Sequence, residues 1–324
     1  ELWDGKWNIN ADYYIKKTSD MLYASPIPLI AGTAPPIQNV ANAENTGFEL
    51  ATIYRSKLGQ VKYSIGGNIA FVKSLVTGLG QGGEAVLTGN IQSANDQAAR
   101  TDVGHPIASF YGYVTDGIFQ SKEEIEAHAF QSTGTAPGDI RFKDLDNNGV
   151  IDINDKTYIG NPTPDYVYGA NLSLEWKNLE LNVFLQGSQG NDIYNNTSRY
   201  DFGYVNRPSS VLNRWTGTGT SFDEPRVNLN DPNQNARISD RFVEDGSYAR
   251  LKNVALGYYL PAKYLTKLRL SKVKVYASAA NLLTFTKYNG LDPEIGTIGG
   301  LEIGIDRGFY PQARTFMVGL NITL

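Results

Sequence analysis

Apolar and polar residues alternate with period two along most of the chain, which predicts half-exposed β-strands rather than amphipathic helices. Between Asp165 and Trp176 one face takes Tyr166, Tyr168, Ala170, Leu172, Leu174 and Trp176, and the other takes Val167, Gly169, Asn171, Ser173 and Glu175. After only Lys177 and Asn178 the pattern resumes with Leu179, Leu181, Val183 and Leu185 against Glu180, Asn182 and Gln186, the signature of a tight hairpin. The same alternation carries Trp7, Ile9, Ala11, Tyr13 and Ile15, then Val61, Tyr63, Ile65, Gly67, Ile69 and Phe71. It returns in Val273, Val275, Ala277 and Ala279, and in Phe316, Val318, Leu320, Ile322 and Leu324. The pattern predicts eight long strands, near 5–17, 46–56, 61–75, 165–176, 179–190, 248–260, 272–284 and 314–324.

The connections alternate in length. Those near 57–60, 177–178 and 261–271 are short, whereas 18–45, 76–164, 191–247 and 285–313 are long and rich in Pro, Gly, Asn and Asp. A soluble β-sandwich that binds glycan or protein gives no reason for this alternation. An antiparallel transmembrane β-barrel does, with short periplasmic turns and long extracellular loops. Its strands alternate in polarity and are too short for a hydropathy scan built for helices, so a mean hydropathy of −0.32 counts against membrane helices only. The final strand adds a weak sign, because Gly319, Ile322 and Leu324 match the Gly-x-x-apolar-x-apolar form of an outer-membrane assembly signal, although a terminal Phe is more usual.

Composition narrows the chemistry. The 20 Tyr and 33 Gly suit strands and turns, and the absence of Cys removes disulfides, thiolate metal sites and cysteine nucleophiles. A net charge of −4 gives no electrostatic reason to approach nucleic acid. The chain opens on Glu1 with no signal-peptide core, as a trimmed product or a fragment would.

Five segments together resemble the C-terminal part of a SusC/RagA-type TonB-dependent outer-membrane transporter. They are SFYGYVTDGIFQSKEEI from Ser109, the long run GDIRFKDLDNNGVIDINDKTYIGNPTPDYVYGANLSLEWKNLELNVFLQGSQGNDIYN from Gly138, YARLKNVALGYYLP from Tyr248, SAANLLTFTKYNGLDPE from Ser278 and FYPQARTFMVGLNITL from Phe309. The resemblance implies that residues 1–324 are the last eight strands of a barrel of about 22, closed by an N-terminal plug and lying in the bacterial outer membrane. It also implies a SusD-like surface lipoprotein as a lid, energy from TonB, and oligosaccharides or peptides as substrates. A plug, a TonB-binding box and about fourteen more strands are then expected ahead of Glu1.

Within the longest loop, 76–164, residues 144–155 have the spacing of an EF-hand-like cation loop. Counting Asp144 as position 1, Asp146, Asn148, Asp152 and Asp155 place oxygens at 3, 5, 9 and 12, Gly149 is the turn glycine at 6, and the Val150 carbonyl serves at 7. Hard oxygen donors at alternate positions wrap a Ca²⁺ ion, and Asp155 in place of the usual Glu shortens the reach at position 12 toward Mg²⁺. A helix near 121–130, with Ser121 and Glu124 as a capping box, precedes the loop, and a strand follows it. The bland alternative is an Asn/Asp/Gly turn without metal.

Nothing points to catalysis. His105 and His128 lack ligand spacing and a nucleophile partner, and Glu123 with Glu124 reads as a solvated helix face. The stretch GLGQGG from Gly78 lacks the Lys-Ser/Thr of a phosphate loop, and KYLTKLRLSK from Lys263 is a basic turn. Tyr13, Tyr14, Tyr23, Trp176, Tyr258 and Tyr259 are candidate headgroup-girdle residues, whereas Tyr111, Tyr113, Trp215 and Phe222 are loop aromatics suited to packing or to stacking on sugars.

Overall fold

The computed structural model describes residues 1–24, 32, 36–80, 85–91, 97–198, 206, 208–266, 270–297 and 299–323, apart from the side chains of Tyr23, Ala24 and Asn90. Leu324 and part of the GLGQGG and KYLTKLRLSK stretches lie outside these residues. Eight long strands form one antiparallel sheet in chain order: β1 Trp7–Ala24, β2 Ile37–Leu58, β3 Val61–Leu79, β4 Tyr166–Trp176, β5 Leu179–Gln189, β6 Tyr248–Tyr259, β7 Lys272–Thr286 and β8 Thr315–Thr323. Each strand pairs with its chain neighbours, and β1 and β8 are the two edges.

The expected strands are all present, but β1 and β2 run well into the stretch 18–45 read from sequence as a loop, and β3 extends to Leu79. The ladder continues past a bulge between Thr18 and Met21, where Asp20 adopts φ +57° and donates its N–H to Asn42 Oδ1 at 3.1 Å. Above this point the strands pack not on lipid but on loops. Ala41, Val76 and Leu79 are buried against Met21, Val86, Ile107 and Leu301, so the two-faced alternation that marks a membrane strand fades.

Register keeps the two faces of the sheet apart. One row crosses all eight strands through Trp7, Tyr54, Ile65, Leu172, Val183, Val254, Ala279 and Phe316. On the other face a parallel row runs through Arg55, Ser64, Ser173, Asn182, Ala255, Ser278 and Met317. Alternation breaks once in β6, where Leu251 and Val254 both belong to the apolar face although three residues apart. A bulge at Lys252 absorbs the extra residue, since Leu251 pairs with Leu185 and Asn253 with Phe184.

The apolar face is bare: Ile65, Leu256, Phe316 and Val318 are 52%, 51%, 71% and 83% exposed. A sandwich would cover these side chains with a second sheet about 10 Å away. From Tyr166 to Trp176 the strand rises about 34 Å, which at a barrel tilt of about 40° spans about 26 Å, the height of an outer-membrane apolar band. Aromatic rows mark both limits of the band, Tyr13, Phe48, Phe71 and Tyr166 at one end, and Trp176 with Tyr258 at the other. Tyr14 and Tyr259 do not join them. The Tyr14 ring lies over Gly47 on the polar face, and Tyr259 donates its hydroxyl to Glu180 at 2.5 Å. Neighbouring residues of a strand point to opposite faces, so only one member of each pair can meet lipid.

The buried core sits in the loops. Segments from 76–164, 191–247 and 285–313 fold together into a four-stranded sheet (Val86–Asn90, Gln97–Thr101, Ser109–Gly112, Thr157–Gly160), a three-stranded one (Val243–Asp245, Asp192–Asn195, Ile305–Asp306) and the pair Thr115–Ile118 with Ile140–Phe142. Phe110, Tyr194, Ile238, Phe242 and Ile305, drawn from all three loops, share one fully buried cluster. Gly112 stands where two loops meet: a Cβ there would lie 2.6 Å from the Ile238 carbonyl oxygen, and the next residue, Tyr113, donates its N–H to that oxygen at 2.9 Å. Gly112→Val is therefore expected to loosen this contact by about 1–3 kcal/mol, read as earlier thermal unfolding and faster proteolysis of the loops.

The helix expected over 121–130 is a single turn, Lys122–Glu126. Ser121 Oγ accepts the Glu124 N–H at 3.3 Å, as a cap should, but the Glu124 carboxylate accepts from Gln120 N at 2.8 Å. The helix stops early because Phe130 bridges to the segment 144–155, donating to the Gly149 carbonyl at 2.9 Å and accepting from Ile151 N at 2.8 Å.

Candidate functional site

The polar face of the sheet and the loop core above it meet at Arg250 on β6. Arg250 is 2% exposed, and its guanidinium donates to Asp292 Oδ1 and Glu294 Oε2, both at 2.5 Å, and to Thr284 Oγ1 at 2.9 Å. Lys252, two residues along, reaches the same Glu294 at 2.9 Å, and Gln186 and Tyr248 fill its other oxygen at 2.7 and 3.1 Å. The second Asp292 oxygen accepts the Gln312 N–H at 2.8 Å, so one carboxylate ties together the start and end of the 285–313 loop. Burial pushes the Asp292 carboxyl up, but the bond from Arg250 and the N–H groups of Gln312 and Glu294 outweigh it and hold it below the ordinary aspartate value.

A second ionic centre lies inside the loops. Asp139, fully buried, accepts Arg226 Nε at 2.7 Å and Nη2 at 2.9 Å, plus Asn235 Nδ2 at 3.0 Å and Ala136 N at 2.9 Å. Bonded to Asp139, the Arg226 guanidinium is held above its ordinary value. Neither centre stands out in the sequence. The signal for the first is the Arg250 and Lys252 pair at the start of a strand, followed by the Asp-Pro-Glu of 292–294, and it becomes legible only once β6 and the last loop are known to be adjacent.

In the segment 144–155 three of the residues expected as ligands come together. Asn147 and Gly149 take φ +59° and +84°, left-handed conformations that fold the chain back on itself. The carboxylates of Asp144, Asp146 and Asp155 gather with ligand oxygens within 4.8 Å of one another, the single such group among the described residues. That spread fits one cation with oxygens at 2.3–2.6 Å. Asp155 is fully buried and accepts from Leu145 N and Asp152 N, each at 2.7 Å, and Asp144 accepts from Gly149 N at 2.8 Å. Partial desolvation pushes the Asp144 carboxyl up, and the surrounding N–H groups, Gly149 first, hold it below the ordinary value. Asp152 Oδ1 instead caps the short turn Ile153–Asp155 through Asn154 N at 2.7 Å, and Asn148 Oδ1 accepts from Val150 N at 2.8 Å. Ile151 anchors the loop in a cluster with Ile140 and Phe142.

The remaining candidates serve packing. His105 stacks on Tyr158 with ring centres 3.7 Å apart, while His128 meets the Phe119 ring edge-on at 5.3 Å. Tyr111 lies under Arg100 at 4.5 Å, Tyr113 under Arg237 at 5.0 Å, and Trp215 donates to Gln120 Oε1 at 3.1 Å. Phe222 alone of the four loop aromatics is mostly exposed, at 63%.

No family model matches the chain. TonB-dependent receptor P3 of Formosa agariphila is 37% identical over 332 residues, which cover 99% of this chain and 33% of that protein. TonB-dependent receptor SusC of Bacteroides thetaiotaomicron is 28% identical over 98% of this chain and 30% of its own length. Among solved structures, that of the RagAB peptide transporter superposes with a TM-score of 0.78 at 24% identity, covering 98% of this chain and 34% of the matched one, a likeness of fold. The chain spans about a third of the length of the relatives it matches.

Proposed function

Because this chain belongs to the SusC/RagA type of TonB-dependent receptors, which are outer-membrane proteins, we propose that its eight strands are an arc of a larger closed barrel whose polar face lines an import channel. The bare apolar face carries this reading: a band about 26 Å high, ended by aromatic rows, suits lipid and nothing else in the fold. Transport then involves binding and gating, with no bond made or broken. The loops form the outer mouth of the channel, a SusD-like lipoprotein closes over them, and TonB supplies the energy. Oligosaccharides or peptides are the cargo, and the neighbour named RagAB peptide transporter is in keeping with the second of these.

A strain lacking the protein that carries this chain should lose uptake of its cargo and regain it on complementation, with the protein in the detergent-extracted outer-membrane fraction. Recovery of that protein from buffer without detergent would overturn the reading and restore the β-sandwich.

The loop at 144–155 is proposed as a structural clip for Ca²⁺, or for Mg²⁺ given the short reach of Asp155, with Asp144, Asp146 and Asp155 as the first ligands. Asn148, Asp152 and the Val150 carbonyl would complete the set, Asp152 through water. The ion would screen three mutually repelling carboxylates and stiffen the longest loop. Isolated extracellular loops of this kind bind with Kd on the order of 10⁻⁴ to 10⁻³ M. Millimolar Ca²⁺ is thus expected to protect the 122–156 segment from protease in the wild type and not in the double variant Asp144→Asn, Asp146→Asn. Equal cleavage with and without chelator would reduce the loop to a polar turn.

A further inference from the structure

Where the outer aromatic row meets the loops, the sheet carries a groove of about 530 Å³. Phe48 and Phe71, directly paired across β2 and β3, form its floor, and the next outward-facing pair, Thr46 and Lys73, stands just above them. Asn161 and Thr163, in the segment leading into β4, close the far side. Apolar rings below and hydrogen-bond donors above make an amphipathic slot at the level where an outer leaflet changes from acyl chain to headgroup.

The charges in the groove favour an anion. Lys73 is exposed and has no carboxylate partner among the described residues. Asp165 is the one acidic residue of the lining, and its carboxylate is turned against Gly190, whose Cβ, if present, would lie 2.2 Å from Oδ2. Glu44, farther up the same face, is engaged by Lys17 at 3.6 Å. The Lys73 stem can therefore lie along Phe71 while its ammonium meets a headgroup phosphate.

Resting on the membrane reading above, we infer that this groove binds a phosphorylated acyl lipid of the outer leaflet, with the acyl chain over Phe48 and Phe71 and the phosphate at Lys73. The full-length protein, extracted in detergent, is to be titrated with lipid A, dephosphorylated lipid A, phosphatidylethanolamine or inorganic phosphate, with the thermal midpoint as readout. Lipid A is expected to raise the midpoint in the wild type and in Lys17→Gln, which lies outside the groove. Lys73→Gln, an exposed change that leaves folding intact, should weaken binding about fivefold, the worth of one basic side chain at a membrane surface. Equal affinity in Lys73→Gln and wild type, an equal response to dephosphorylated lipid A, or the same response to inorganic phosphate alone would each overturn the site. A detergent-dependent protein with a silent Lys73 sinks the lipid site alone, whereas a protein soluble without detergent sinks the barrel reading as well.

Discussion

Arg250→Ala is expected to destabilise the docking of the 285–313 loop by about 3–5 kcal/mol, because removing one partner of a buried ion pair leaves the other uncompensated. Asp292, with its side chain 8% exposed, would lose its only cation among the described residues, whereas Glu294 keeps Lys252. The cost should therefore fall on the Asp292 side, where the carboxylate holds the Glu294 N–H at 2.8 Å and the Gln312 N–H at 2.8 Å. Hydrogen exchange across 288–312 measures this directly: protection should drop there and hold in β4 and β5. Arg250→Lys should recover little, since a point ammonium cannot serve two carboxylates and Thr284 in the geometry of a guanidinium fork. Unchanged protection in Arg250→Ala would show that the loop docks through its apolar contacts alone.

The same carboxylate sets a pH dependence. Asp292 is held below its ordinary value, so its contribution is fully present above the unfolded pKa of about 3.9 and is lost as the pH falls through the folded value. Acid below about pH 4 should loosen the loop in the wild type, and Asp292→Asn should remove that part of the acid response.

How far the sequence discloses this molecule depends on whether a residue's neighbours are periodic. Leu172 and its partners Ile65 and Val183 repeat at every second position, so strands, hairpins and the lipid-facing set can be read without coordinates. Asp144 and Asp155 are close in the chain, so the gathering of their carboxylates with that of Asp146 is legible too. Phe110, Tyr194, Ile238, Phe242 and Ile305 form the best-buried cluster, yet they come from three loops and follow no period. Burial there is decided by which loops pack together, a long-range choice that local alternation does not encode. Arg250 falls between these cases: β6 was legible as a strand, but its partners lie 42 and 44 residues on in a loop. The bulge at Lys252 marks the same boundary, since Leu251 and Val254 break strict alternation and only the pairing with β5 shows why.

Leu172→Arg is expected to cost about 2–4 kcal/mol, against about 1 kcal/mol for Ser173→Arg one residue along. Leu172 sits six residues below Tyr166 and four above Trp176, near the middle of the apolar band and flanked by Ile65 and Val183. A guanidinium placed there meets hydrocarbon and must bend toward an interface to keep its charge hydrated. Ser173 faces the polar side, where its hydroxyl donates to Asn182 Oδ1 at 2.6 Å. An arginine at 173 forfeits that one hydrogen bond but projects from the polar face of the sheet, in the row of Arg55, Ser64 and Ser278. The comparison holds backbone position, strand and substituent constant and changes only the face. The readout is the amount of heat-modifiable barrel recovered from outer membranes, together with its denaturant midpoint. Loss at both positions alike would mean that both faces are packed against protein, as in a sandwich, while loss confined to Leu172→Arg requires hydrocarbon on that side of the sheet.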